Sequence, residues 1–146
     1  MTARDVPAAR TGETPLAVGW ATVELDRAAT ELTGLLVPGA AFEPAPACDH
    51  LGARCLVGRA TGLDGGAPLL VLLEPSTEGR LAAALARHGE GGCAIWVPGS
   101  AVTSTPSPPH EPRGGLRDGP LGPESLEPGA PVGGPYRLVV SPATIV

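Results

Sequence analysis

The stretch 15–25, PLAVGWATVEL, sets β-branched and aromatic residues among small ones, which predicts a strand. In the next twelve residues, DRAATELTGLLV, the spacing of apolar positions changes. Ala28, Leu32 and Leu35/Leu36 form a helical stripe, with Asp26 placed to cap its start and Pro38-Gly39 to stop it. A short extended piece near AAFEPAP precedes a second strand at LGARCLVGRA (51–60). The turn TGLDGG (61–66) then leads into the apolar run APLLVLLEP (67–75), so 51–60 and 67–75 read as a hairpin looped through Asp64-Gly65-Gly66. A second helix follows, with Ser76 or Thr77 as cap, Glu78 in its first turn and Leu81, Leu85 and their neighbouring alanines as its buried stripe. Arg87 and His88 sit in its last turn and Gly89 in the left-handed position beyond. GGCAIWVPG resumes as strand, and PYRLVVSPATIV ends the chain as another. Between them, from Pro98 to Pro135, ten of the 18 prolines and eight of the 21 glycines fall in a stretch with no period, which predicts a long irregular loop.

The predicted order is therefore β-α-β-β-β, helix, β, long loop, β. This is an α+β architecture with one complete βαβββ module and a degenerate second module that lacks its helix. A chain of 146 residues, 42% hydrophobic, supports one domain. Residues 1–15 read as a flexible tail and 16–146 as the domain. Within it, 16–75 is the first module, 76–91 the connecting helix, and 92–146 the second module with its Pro/Gly-rich loop 98–135.

Charge and cysteine content narrow the function. A net charge of −5 with ten scattered basic residues excludes the basic stripe of a nucleic-acid binder. Cys48, Cys55 and Cys93 are odd in number and form no C-x-x-C pair, which fits a reducing cytoplasm rather than a disulfide framework. The first residues contain no apolar signal core, and APLLVLL is far too short to cross a bilayer, so a cytoplasmic protein without a membrane partner is expected.

Three sequence pieces carry a family likeness: Leu72-Leu73-Glu74-Pro75, the helix through His88, and Gly89-Glu90-Gly91 leading into GCAIWV. With VGWATVELDRA before them and VVSPAT after them, they resemble the vicinal-oxygen-chelate superfamily of glyoxalases and bleomycin-resistance proteins, and within it the methylmalonyl-CoA epimerase-like branch. The resemblance implies paired βαβββ modules curled around a cleft and a divalent metal that polarises vicinal substrate oxygens. It places the metal ligands at Val18 (or Ala17 with a one-residue slip), Val71, and Ala94 (or Cys93), with a last one on a strand beyond the end of this chain. VVSPAT is then the penultimate strand. Val and Ala offer no lone pair, so neither a metal nor any other cofactor is expected.

Strand alternation from those positions predicts an apolar cup. Val18 inward brings Trp20 and Thr22 inward, Val71 brings Leu73, and Ala94 brings Trp96. Trp20, Thr22, Val71, Leu73, Ala94 and Trp96 are thus the expected ligand-binding residues for a small apolar or acyl molecule. Arg59 (or Arg54) on the third strand could hold a carboxylate or phosphate, and Glu74, like Glu24, could move a proton if buried. Arg59 and Glu74 are the expected catalytic pair. Cys48, Asp49 and His50 stand together in PACDHLG, but no fourth partner is evident and they read as a turn. The expectation is a metal-independent isomerase, lyase or cyclase, or alternatively a non-catalytic drug- or metabolite-binding protein. An edge left by a missing closing strand would be covered by homodimerisation.

Overall fold

A computed structural model describes residues 15–61, 63, 67–99, 116–127 and 136–141. Its elements are β1 (Ala17–Ala21), α1 (Leu25–Leu32), β2 (Glu43–Cys48), β3 (Ala53–Arg59), β4 (Leu69–Pro75), α2 (Arg80–His88), β5 (Gly91–Pro98), β6 (Glu124–Leu126) and β7 (Tyr136–Val140). The predicted tail except Pro15, the hairpin loop at Asp64–Gly66 and much of the 98–135 loop lie outside the described residues.

The seven strands form one sheet in the order β2-β3-β4-β1-β5-β7-β6. β1 and β4 run parallel with Gly19 opposite Val71, while β3 and β4 make the expected antiparallel pair. β5 joins β1 antiparallel, fusing the two halves. β7 then lies parallel to β5, with Trp96 opposite Leu138, just as β4 lies parallel to β1. By that equivalence β7 is the closing strand of the second module. The closing strand is therefore present within the chain, whereas the family resemblance made VVSPAT (139–144) the penultimate strand and implied an open edge. The 98–135 stretch is also less irregular than predicted. It contains β6, paired antiparallel with β7, and a bridge from Arg117 to Glu124 that turns 117–124 into a tight hairpin.

Two apolar layers cover the sheet. One packs α1 through Leu25 and Ala28 against Val18, Leu70 and Leu72. The other packs α2 through Leu81 and Ala84 against Ala17, Ala21, Val71, Leu73, Ala94, Trp96 and Leu138. The second is the concave layer, because the β2–β3 turn and β6, from opposite edges of the sheet, meet over it. Cys48 Sγ donates to Glu124 Oε2 at 3.1 Å, and the Asp49 N–H donates to the Asp118 carbonyl at 3.0 Å.

Both helices start where tertiary contacts allow, not where the sequence placed their caps. Glu24 precedes α1 and makes no side-chain cap; Asp26 lies inside the first turn. The Leu25 N–H instead donates to Glu74 Oε1 at 3.0 Å. Gly79 precedes α2 in place of Ser76 or Thr77, and the Leu81 N–H donates to the Leu51 carbonyl of the β2–β3 turn. Residues 33–35 tighten into a 3₁₀ turn, so the predicted first helix ends near Leu32 rather than Val37. Gly89 takes a positive φ of 72° as expected, donating to the Leu85 carbonyl.

Candidate functional site

The concave floor follows from the β1–β4 and β1–β5 registers. Val71 faces the same side as Gly19, and Gly19 the same side as Ala94, so Ala17, Gly19 and Ala21 point into the concavity. Val18 and Trp20 point to the α1 layer. The phase assumed from the sequence was one residue off on β1, and a slip of one moves every side chain to the other face. Trp20 and Trp96 therefore do not share a cup. Trp20 lies under α1, while Trp96 lies fully buried on the concave side with Val71, Leu73 and Ala94. Gly19 makes that arrangement possible, since a Cβ there would stand 2.7 Å from the Trp96 ring. A bulge between Gly19 and Trp20 opposes them with one extra β5 residue, which brings Cys93 into the concave layer beside Ala94.

Thr22 is buried too, but in a polar knot at the β1–α1 turn rather than in the cleft. Glu90 Oε2 accepts from Thr22 Oγ1 (2.7 Å), the Val23 N–H (2.8 Å) and Arg27 Nη2 (2.6 Å). Burial pushes the Glu90 carboxyl up, but the hydrogen bonds from Arg27, Thr22 and Val23 outweigh it and hold it below the usual range. Glu74 lies on the α1 side of the sheet, in phase with Leu72, where it caps α1 and pairs with Arg54. It does not reach the concave floor. The two glutamates of the L-L-E-P and G-E-G pieces therefore both fasten the turn that starts α1.

Arg59 continues the inward phase of Cys55 and Val57 and sits opposite Leu69 at the exposed end of β3. Half-buried Leu16, Ala45, Val57 and Leu69 also pack against the concave cluster.

The charged group at the floor lies in the stretch 98–135, where the sequence shows no period. Glu124 on β6 is wholly buried. Its Oε1 accepts from Trp96 Nε1 at 2.8 Å and its Oε2 from Cys48 Sγ at 3.1 Å. His50, 5% exposed, places Nε2 3.0 Å from the Glu124 carbonyl oxygen; a carbonyl only accepts, so that nitrogen carries the proton. The Cys48-Asp49-His50 turn thus finds in Glu124 the fourth partner it lacked, 76 residues beyond Cys48. Burial raises the Glu124 carboxyl to about 7, against the opposing pull of the Cys48 and Trp96 hydrogen bonds and with help from the charge of Asp49. Burial, then Glu124, also drives the Cys48 thiol far above its normal range, and burial pushes Cys55 up to about 12. Neither is a thiolate nucleophile at neutral pH. The sequence did hold a faint signal for Glu124: in PESLEP, Glu124 and Leu126 stand two residues apart, the spacing that puts both on one face of a strand, inside an otherwise periodless stretch.

Of the positions that the family resemblance assigns to metal ligands, Ala17 (the one-residue alternative to Val18), Val71, Ala94 and its alternative Cys93 lie in the concave layer, and the inward residues of the closing strand are Tyr136, Leu138 and Val140. Tyr136 directs its hydroxyl to the Arg80 carbonyl. Among the described residues no group of three or more His, Cys, Asp or Glu side chains could hold a metal ion. The described residues at these positions do not fit a divalent cation.

A curled sheet made of two units, each closed by a parallel strand and fused through an antiparallel β1–β5 pair, is shared as a fold with solved structures of low sequence identity. A variant of Streptomyces coelicolor methylmalonyl-CoA epimerase in complex with 2-nitronate-propionyl-CoA is 21% identical, with 90% of this chain and 99% of that chain covered at a TM-score of 0.62. The Mycobacterium tuberculosis methylmalonyl-CoA epimerase is 20% identical over 93% of each chain, also at 0.62. A hypothetical protein from Bacillus halodurans is 14% identical, with 90% of this chain and 95% of that chain covered at 0.51. The epimerase-like likeness read from the sequence thus extends to the whole fold. No protein-family model and no curated protein matches the sequence.

Proposed function

We propose that this protein binds a small acyl metabolite on the concave face of a glyoxalase fold and acts on it as an isomerase-type enzyme without a metal. The observation that carries the reading is the floor itself: carbon side chains stand at Ala17, Val71 and Ala94, where the fold's relatives are expected to carry ligands. An apolar floor suits an acyl chain, and several structural neighbours are epimerases solved with acyl-CoA ligands. Arg59 supplies the anchoring charge. It is exposed, lies in the inward phase, and makes no ion pair among the described residues, so it is available to a ligand carboxylate or phosphate. The buried cysteines fit a cytoplasmic setting, and no helix among the described residues is long and apolar enough to cross a membrane.

Isothermal titration of the protein with methylmalonyl-CoA in EDTA tests binding, and loss of its α-hydrogen signal in deuterated buffer tests turnover. Saturable binding with exchange faster than in buffer alone supports the reading; exchange that appears only after a divalent metal is added defeats its metal-free part. The alternative, a binding protein without turnover, is favoured by the concave layer itself, where Cys48 and Cys55 are held as buried thiols rather than nucleophiles. It predicts binding with no exchange.

A further inference from the structure

We propose that Glu124 is the hydrogen-bond donor that meets the acyl carbonyl oxygen of the bound ligand, acting as a neutral acid where relatives of this fold would use a metal ion. The inference rests on the acyl-binding reading above and adds the group that polarises the substrate.

Position is the first support. Ala17, at the place expected for the first metal ligand, pairs across the sheet with Trp96, and the Trp96 indole N–H holds Glu124 Oε1. Glu124 pairs with Val140 on the closing strand and faces the same concave layer. The carboxyl is thus set against the apolar floor and fixed by an indole on a central strand.

Its bonding is the second. Trp96 occupies one oxygen with a donated hydrogen, which leaves the proton of a neutral carboxyl to the other oxygen. The neighbour there is the Cys48 sulfur at 3.1 Å, which donates to that oxygen when the carboxyl is ionised and offers only a weak acceptor when it is protonated. A carbonyl oxygen is a better one, so an arriving ligand improves a bond that the resting protein makes poorly. A carboxylic acid kept protonated by an apolar site is an effective donor to a developing oxyanion.

Its cover is the third. The backbone at Gly119 lies so close that a Cβ would stand 1.9 Å from Glu124 Oε1. The tip of the 117–124 hairpin is tied down by the Asp49 N–H to Asp118 carbonyl bond and by half-buried Leu121. The acid is thus covered by backbone rather than by a side chain, and the glycine keeps the tip from wedging against it.

The groups facing Glu124 are Trp96 and Cys48, with the charge of Asp49 and the Cys55 thiol nearby and the His50 ring on its own carbonyl. Among them Glu124 is pushed up by burial to about 7, so its donor form is lost as pH rises through that value.

The test is methylmalonyl-CoA α-hydrogen exchange in deuterated buffer across pH 5.5–8.5 (a window spanning roughly 1.5 units either side of the Glu124 value), with binding measured in parallel. The wild-type rate should fall as pH rises through about 7. Glu124→Gln keeps a neutral donor, so it should retain activity within about tenfold and lose that pH dependence. Glu124→Leu should lose about 100-fold or more while still binding the thioester. Infrared difference spectra of wild type minus Glu124→Gln should show a protonated carboxyl band below pH 7, a readout that survives even if Glu124→Leu fails to fold. Wild-type exchange that rises through pH 7 makes the carboxylate a base and overturns the proposal, as does unchanged activity in Glu124→Leu. A wild type that neither binds nor exchanges methylmalonyl-CoA defeats the acyl-binding reading and this inference with it.

Discussion

Between its ordinary value of 4.5 and about 7, Glu124 keeps a proton in the folded chain that it has already released in the unfolded one. The folded state binds more protons over that window, so stability falls as pH rises. The contribution is fully present below 4.5 and gone above about 7. The shift corresponds to about 3 kcal/mol. Urea midpoints should therefore decline from pH 5 to 8 in the wild type and stay nearly flat in Glu124→Gln. Glu90 acts in the opposite direction: its carboxyl is held below the usual range, so its contribution is present at neutral pH and lost on acidification through its folded value. A Glu90→Gln variant should flatten the acid limb of the same curve and leave the neutral limb unchanged. Gly119 offers a steric check on the buried acid. Gly119→Ala should cost about 2–4 kcal/mol by urea unfolding, and combining it with Glu124→Ala should cost less than the sum of the two.

At the scale of elements, both helices begin on hydrogen bonds from distant chain. Glu74 reaches back 49 residues to the Leu25 N–H, and Leu51 supplies its carbonyl to Leu81. A local reading looks for a cap one to three residues before the helix, and so it chose Asp26 and Ser76 or Thr77. Those choices were reasonable locally but lost to tertiary partners that no short window contains. Removing Glu74's carboxylate should therefore unsettle α1 rather than β4. Glu74→Ala, which removes the acceptor, is expected to destabilise by about 1–2 kcal/mol and to speed hydrogen exchange at the Leu25 amide specifically. The strands were more legible, since the apolar run of β4, its hairpin with β3 and the resumption at β5 all follow from composition and alternation. The β1 phase was not, because AVGWA offers small residues on both faces and only pairing with Val71 and Ala94 decides which face is concave.

For the whole molecule, the sheet order and the parallel β5–β7 pair close the second module inside the chain, which removes the missing-strand reason for dimerising. The outer strand β2 carries prolines at two of its six positions, Pro44 and Pro46, and proline offers no N–H for a further strand to use. The expected homodimer, if it uses this edge, should be weak. Replacing Pro44 and Pro46 with threonine should increase association measured by sedimentation equilibrium.

What the sequence determined by itself was the inventory: a βαβββ unit with a second half, an apolar interior, and glutamates at L-L-E-P and G-E-G. These are properties of residue type and short-range period, and they persist in any fold that keeps the strands. Which face each strand shows, which carboxylates become caps, and which one lies buried beside an indole were decided only by the tertiary structure. Each depends on register between segments far apart in the chain, and a shift of one residue would have reversed every such assignment while leaving the local pattern untouched.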